Sequence, residues 1–313
     1  MASPVEIAEV VRSGVREGAH RGHAVVVDAQ GAVLQAWGDP QAQILPRSAN
    51  KIAQASAMVR AGLPLADELL ALAAASHSGE SFHVDGVRRI LGDIPAEHLQ
   101  TPADWPWDEV DRCALRAEGL GPTSIYMNCS GKHAAMLVTC AVNGWSLDDY
   151  LSPDLPLQRA IATEVAELAG ERPWALAIDG CGAPLLGLTL AGLARTGSRA
   201  ATADPTTPER RVADAMRDYP EWVAGTRRDA AALSAGVPGL LLKEGAEGVY
   251  VAGLPDGTGI AMKIEDGTGR ARQVVMAAIL ARVGIDTEIV REQSAIPLTG
   301  GSEYVGEIRA VLD

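Results

Sequence analysis

Strand patterning in this sequence is confined to two separated regions, and that split limits the fold more than any other feature. Residues 23–37, HAVVVDAQGAVLQAW, read as two strands about a turn at Ala29-Gln30-Gly31. The next clear strand is WALAID at residues 174–179. GVYVAGL (248–254), a turn at Pro255-Asp256-Gly257 and GIAMKI (259–264) form a second hairpin. YVGEIRAVL, near the C-terminus, reads as an edge strand. Between the two strand regions the periodicity is helical. Residues 47–61 put Ile52, Ala55 and Val59 on one face, and helical signals run on to about residue 170, broken by the loop TPADWPW. Two outer helices are expected. One spans 4–16, with Val5, Ala8, Val11 and Val15 aligned, Ser3 as cap, Pro4 at the first helical position and Glu6 completing a capping box. The other spans 269–283, with Val275, Ile279 and Val283 aligned and Gly284 closing it. The pattern predicts an α/β (α+β) fold built as a single unit over 1–313. An antiparallel sheet drawn from 1–46 and 174–313 is covered by the outer helices, and 47–173 forms an inserted helical lobe.

Composition narrows the function classes. Forty acidic against 27 basic residues leave a net charge of −13, which opposes a nucleic-acid surface or a site on anionic lipid. The uncharged stretch 180–194 is shorter than the roughly 18 residues of a membrane span and is interrupted by Gly and Pro. The acidic start MASPVEIAEV does not resemble a secretion signal, so a cytoplasmic protein is expected. Aromatic residues make up only 4%, so the core must rest on Ala, Leu, Val and Ile. The four cysteines, Cys113, Cys129, Cys140 and Cys181, contain no CxxC pair and are not expected to form a disulfide framework. Cys113 and Cys140 are expected to be buried as small apolar groups.

Five short segments carry chemistry. In PRSANK, Ser48 and Lys51 stand three apart at a helix start, so they share a face and the amine can approach the hydroxyl. Lysine acts as a base only if burial or nearby cations depress its pKa. The blander alternative makes Ser48 a helix cap. ASHSGES holds Ser76, His77, Ser78 and Glu80 about a glycine and reads either as a second active-site hydroxyl or as a polar turn. A Ser76–His77 relay is not expected, because adjacent side chains on extended chain diverge. NCSGKH mimics a phosphate loop but lacks the first glycine and has His133 where Ser or Thr belongs. Cys129 and His133 stand at i and i+4, a metal-binding spacing. IDGCGAP runs a strand into a tight turn bearing Asp179 and Cys181, and the two cysteine loops together could form one soft zinc site. Lys263, in MKIEDG, either faces an active site or simply faces solvent.

Taken in order, PRSANK, ASHSGE, NCSGKHA, IDGCGAP and KIEDG resemble the rhizobial-type (class 3) L-asparaginases, and the resemblance spans the chain from the first hairpin to the last helix. That family is similar in fold to serine β-lactamases, penicillin-binding proteins and glutaminases. The resemblance implies hydrolysis of L-asparagine to L-aspartate and ammonia, with two Ser–Lys pairs, Ser48 with Lys51 and Ser76 with Lys263. It implies a Zn2+ ion held by Cys129, Lys132 and Cys181, in which case His133 does not ligate the metal. Arg47, Asn128 and Asp179 flank these segments and are expected to contact the substrate's α-groups. Lys51 would take the proton of Ser48, which attacks the amide, while Ser76 and the second lysine relay a proton to ammonia. Two departures stand out: Ser78 occupies a place that often carries Asn, and KIEDG lacks the Thr-Gly that follows the lysine in β-lactamases. Rival readings are a glutaminase or other amidohydrolase on the same scaffold, or a catalytically silent zinc-binding protein. A homodimer is the expected assembly.

Overall fold

The computed structural model describes residues 3–312. The strands are β1 (Val5–Arg12), β2 (Val15–Val27), β3 (Val33–Trp37), β4 (Gln43–Ile44), β5 (Ala175–Ile178), β6 (Pro184–Thr189), β7 (Leu241–Gly245), β8 (Val249–Gly253), β9 (Gly259–Ile264), β10 (Ala295–Gly300) and β11 (Glu303–Ala310). The helices are α1 (Lys51–Arg60), α2 (Asp67–Ala73), α3 (Ser81–Leu91), α4 (Glu109–Ala117), α5 (Ser130–Asn143), α6 (Pro156–Ala169), α7 (Leu190–Ala201), α8 (Pro208–Asp218), α9 (Pro220–Val223), α10 (Asp229–Gly236), α11 (Arg272–Arg282) and α12 (Glu288–Glu292). One antiparallel sheet runs β10-β11-β1-β2-β9-β8-β7, with β3 also paired to β2. A smaller sheet, β4-β6-β5, lies apart from it. The expected α/β architecture of mixed helix and antiparallel sheet is present.

Each face of the large sheet has its own core, because successive strand residues point to opposite sides. On β2, Val25 and Val27 join the core of the central helices, while Ala24 and Val26 join the core beneath α11. Val249 and Val251 of β8 divide from Tyr250 and Ala252 in the same way. Helix α7 lies hard against the sheet through glycines. A Cβ on Gly253 would meet the carbonyl oxygen of Gly197 at 2.1 Å, and one on Gly259 would meet that of Ala194 at 2.3 Å. Small residues at these crossings let a helix backbone touch strand backbone, which suits a core poor in aromatics.

The expected helix over 4–16 is instead the hairpin β1–β2. Ser13 and Gly14 both have positive φ, 48° and 78°, the signature of a two-residue hairpin turn that matches strand twist. The Val spacing fits a helix, but β-branched residues flanking a Ser-Gly turn favour strands. The C-terminal segment is a strand but not an edge. β11 lies between β10 and β1, and β10, which carries Pro297, takes the edge. The second hairpin and the helix near 269–283 match β8, β9 and α11. β7 was not anticipated, and helices α7 to α10 also occupy the chain between the two sheets' later strands.

An acidic pair joins three helices. Arg60 of α1 donates to Glu164 of α6 at 3.0 Å and also to Glu209 of α8. Burial, and then the adjoining Glu209, push the Glu164 carboxyl up to about 7. The folded protein thus holds this proton more tightly than the unfolded chain. The resulting stability is complete at low pH and is lost as pH rises through about 7. Glu164→Gln should therefore lose less stability than the parent between about pH 5 and 7, as read by urea unfolding at several pH values. Parallel curves for the two proteins would contradict the shared-proton account.

Candidate active site

Three lysines, Lys51, Lys132 and Lys243, are among the largest fully buried side chains in the structure. Lysine is almost never buried without a partner, so their surroundings mark the site. Lys51 opens α1, directly after the short 3-10 turn Arg47–Asn50. Arg47 takes a left-handed φ of 51°, a costly conformation for a non-glycine residue that recurs at functional turns. The turn is pressed onto β7 at Gly245, where a Cβ would lie 2.6 Å from the carbonyl oxygen of Pro46. A glycine there lets the Ser48 turn and the strand carrying Lys243 share backbone contact.

Ser76 lies on the loop between α2 and α3. Its N–H donates to the Val223 carbonyl at 2.9 Å, and that of His77 donates to Asn128 at 3.1 Å. His77 Nε2 meets Ser130 Oγ at 2.9 Å, tying the loop to the start of α5. So fixed, Ser76 Oγ lies 3.2 Å from Lys51 Nζ and 3.1 Å from Lys243 Nζ. Lys51 also donates to the Ala75 carbonyl and to Cys129 Sγ, the latter at 3.0 Å. Burial, with Lys51 nearby, pushes Lys243 down to about 8 against the pull of Glu244.

The residues predicted from sequence largely converge. Arg47, Ser48, Ser76, Asn128, Cys129, Asp179 and Cys181 line one cavity of about 230 Å³, and Lys51 and Lys132 lie buried beside it. Lys263 does not join them. Its Nζ donates to the carbonyls of Glu247, at 2.8 Å, and Ile264, and it borders a different hollow with His23 and Gln43. The lysine that meets Ser76 is Lys243. Lys51 bonds to Ser76 rather than to Ser48, whose hydroxyl has no hydrogen bond among the described residues. Ser78 donates to Glu80 at 2.8 Å and does not line the cavity. Cys140 is buried as expected, whereas Cys113 is exposed on α4.

Arg47 and Asp179 are paired, Nε to Oδ1 at 2.7 Å, and Asn128 Oδ1 accepts from Cys129 Sγ at 3.0 Å. Burial raises the Asp179 carboxyl, but Lys132 and Arg47 more than offset it and keep the group ionised. A hydrogen bond from Cys181, with Lys51 and Lys132 close by, holds the Cys129 thiol well below its usual range despite burial. Lys132 Nζ is 3.3 Å from Cys181 Sγ. Two thiols and an amine gathered at one wall are soft donors of the kind zinc accepts, so the set fits the ion by chemistry. Among the described residues no cluster of three or more His, Cys, Asp or Glu side chains has metal-holding geometry, so the amine would be an indispensable third donor. His133 Nδ1 instead meets the hydroxyl of Tyr150 at 2.7 Å.

The family model for L-asparaginase II matches residues 8–310. The chain belongs to the L-asparaginase II family. Membership makes it an amidohydrolase acting on a small-molecule amide. No curated protein matches it significantly. Among solved structures, a beta-lactamase from Mycobacterium bovis is 15% identical over 84% of this chain and 95% of that one, with a TM-score of 0.49. A Bacillus glutaminase is 13% identical over 84% of this chain and 90% of that one, with a TM-score of 0.45. Mglu in its native form is 18% identical over 89% of this chain, with a TM-score of 0.47, and this family member spans 68% of it. No helix among the described residues is long and apolar enough to cross a membrane.

The two lysines on Ser76 have different origins in the sequence. Lys51 was signalled by its spacing from Ser48. Lys243 carries one local signal, a charged residue at the end of the apolar run in LLLKEG.

Proposed function

We propose that the protein is an L-asparaginase that hydrolyses the side-chain amide of L-asparagine to L-aspartate and ammonia. The observation that supports it most directly is a hydroxyl, Ser76 Oγ, within 3.2 Å of two buried lysine amines. Two amines on one hydroxyl can both give and take protons, which amide cleavage requires. The cavity, at about 230 Å³, suits an amino acid and is too small for a polymer.

In this reading Ser48 attacks, because its hydroxyl opens on the cavity and is not committed to another partner. Lys51 takes its proton as the C–O bond forms. N–H groups of the turn that opens α1 hold the oxyanion. As the C–N bond breaks, that proton passes from Lys51 through Ser76 to the leaving ammonia. Neutral Lys243 then takes a proton from water through Ser76, the water attacks the acyl carbon, and a proton returns through Ser76 and Lys51 to Ser48 as its C–O bond breaks and aspartate leaves. Cys129, Lys132 and Cys181 would hold a zinc ion. When bound it would supply Lewis-acid charge that fixes this wall of the cavity. Lys132 favours its charged form in the structure, because Cys181, Cys129 and Asp179 outweigh the effect of burial. Binding would have to displace that proton.

Ammonia release from L-asparagine and L-glutamine, with the colour change of nitrocefin as the third arm, tests the substrate. Turnover of asparagine above glutamine is expected, with none of nitrocefin. Ser48→Ala should abolish turnover and leave no acyl-enzyme by mass spectrometry, and acylation that persists in this variant would shift the attack to Ser76. A pH profile tests the second lysine. Neutral Lys243 grows as pH rises, so kcat should climb with a midpoint near 8. Lys243→Met should lower kcat on the order of 100-fold or more, while Lys263→Met changes it by no more than about threefold. Equal losses would refute the Ser76–Lys243 pairing. For the metal, elemental analysis should find about one zinc per chain, lost in Cys181→Ala. Absence of zinc from protein refolded with it would remove the metal from this account.

A further inference from the structure

The cavity also carries charges whose hydrogen-bonding capacity the described residues leave unfilled. Glu244 is 2% exposed, and both of its carboxylate oxygens are buried without a hydrogen bond. Its near neighbours are Lys243 Nζ at 3.3 Å and Arg228 Nη2 at 3.7 Å. A buried carboxylate with no donor is costly, and native proteins keep such groups where a ligand or water completes them. Arg228 is in a complementary condition. Its guanidinium makes no hydrogen bond among the described residues and lies 5.2 Å above the ring of Trp107, which also lines the cavity. The other two arginines of the cavity are engaged. Arg47 is paired with Asp179, and Arg272 Nη2 reaches both oxygens of Asp229 at 2.8 and 3.0 Å.

We infer that Arg228 and Glu244 together read the α-carboxylate and α-ammonium groups of the substrate, making the site selective for free zwitterionic amino acids. This rests on the amidohydrolase reading above and adds what the enzyme recognises besides the amide. The guanidinium fork matches a carboxylate in shape and charge, and stacking on Trp107 holds its plane. A molecule bearing both groups on one carbon satisfies both partners at once, where an amide lacking either leaves one buried charge unmatched. Lys243 touches Ser76 Oγ on one side and the Glu244 carboxylate on the other. The reacting end and the recognised end are therefore one ammonium group apart, a span that suits a short amino acid. Arg47 and Asp179, which satisfy each other, then shape the wall rather than bind the α-groups.

The test compares ligands that differ by a single group. L-aspartate carries both α-groups, β-alanine lacks the α-carboxylate, and succinate lacks the α-ammonium. Binding of each is measured by titration calorimetry, which needs no turnover. The wild type should prefer L-aspartate to either by on the order of 10- to 100-fold. Arg228→Gln should erase the preference over β-alanine while keeping that over succinate, and Glu244→Gln should do the reverse. The same contrast is read in kcat/KM for L-asparagine, β-alaninamide and succinamate. A wild type that does not distinguish L-aspartate from β-alanine overturns the inference. So does an Arg228→Gln protein that weakens both alike, as a merely structural arginine would. Ligand discrimination that depends on Arg228, in a protein that hydrolyses no asparagine, keeps this inference and removes the asparaginase reading. Asparagine hydrolysis with no such dependence does the opposite.

Discussion

Lysine ammonium groups resist leaving water, and this fold buries three of them around one small cavity. Each survives because opposite or hydrogen-bonding groups from distant parts of the chain are brought to it. Lys51 is met by a carbonyl, a hydroxyl and a thiol from two loops. Lys132 faces Cys181. Lys243 has the backbone and side chain of Glu244 and the hydroxyl of Ser76. Much of the remaining architecture serves that end. The loop bearing Ser76 is tied down at its own N–H and at His77, and the turn before α1 is seated on a glycine of β7. Burial, with Lys51 close by, lowers Lys243 to about 8, so the packing that looks unfavourable there is what brings a lysine base near neutral pH, whereas Cys181, Cys129 and Asp179 keep Lys132 charged.

How much of this was visible in the sequence depended on distance along the chain. Ser48 and Lys51 lie within one turn, so their spacing alone suggested joint action, whereas Lys132 joined Cys129 and Cys181 only through the resemblance to class 3 L-asparaginases; these five and Asp179 lie in the same region. The partner of Ser76 lies 167 residues away, and no local pattern fixes such a pair. Lys263 and Lys243 both sit on late strands, but β8 separates those strands in the sheet and only β7 reaches the cavity. Strand order is a property of tertiary pairing, so the motif order points to Lys263 while the fold brings Lys243 to Ser76. The initial helix failed for a different reason. Apolar residues at 5, 8, 11 and 15 fit a helix by spacing but also fit a β-hairpin about the Ser13-Gly14 turn, whose φ values are positive. There the turn chemistry outweighed the hydrophobic period. The expected class, an antiparallel sheet with helices, survived that error because a hairpin adds to the sheet as readily as a helix covers it.

Glu244 and Arg228 were not legible at all, since an unsatisfied buried charge is defined by what fails to approach it. Burial and missing hydrogen bonds are visible only once the chain is folded. They point to the side of the cavity that chemistry-bearing motifs do not cover, and so to recognition rather than bond breaking. A site of this kind divides its labour. In the proposed reading, lysines and serines handle protons, and a separate pair of charged side chains decides which molecule is admitted.

The pairing of β1 with β11 has a meaning for how the chain acquires its shape. Ala8 lies opposite Ala310 and Arg12 opposite Gly306, so the first strand of the chain meets the last. Contacts of such wide sequence separation are slow to form, because a long loop must close before they contribute anything. During synthesis the β1–β2 hairpin precedes both of its outer partners, β9 and β11, and must wait with its edges open through most of the intervening chain. An open strand edge invites pairing with other chains. The sheet that finally supports the catalytic cavity is thus completed last, and until then its earliest element depends on dilution or on chaperones to stay unpaired.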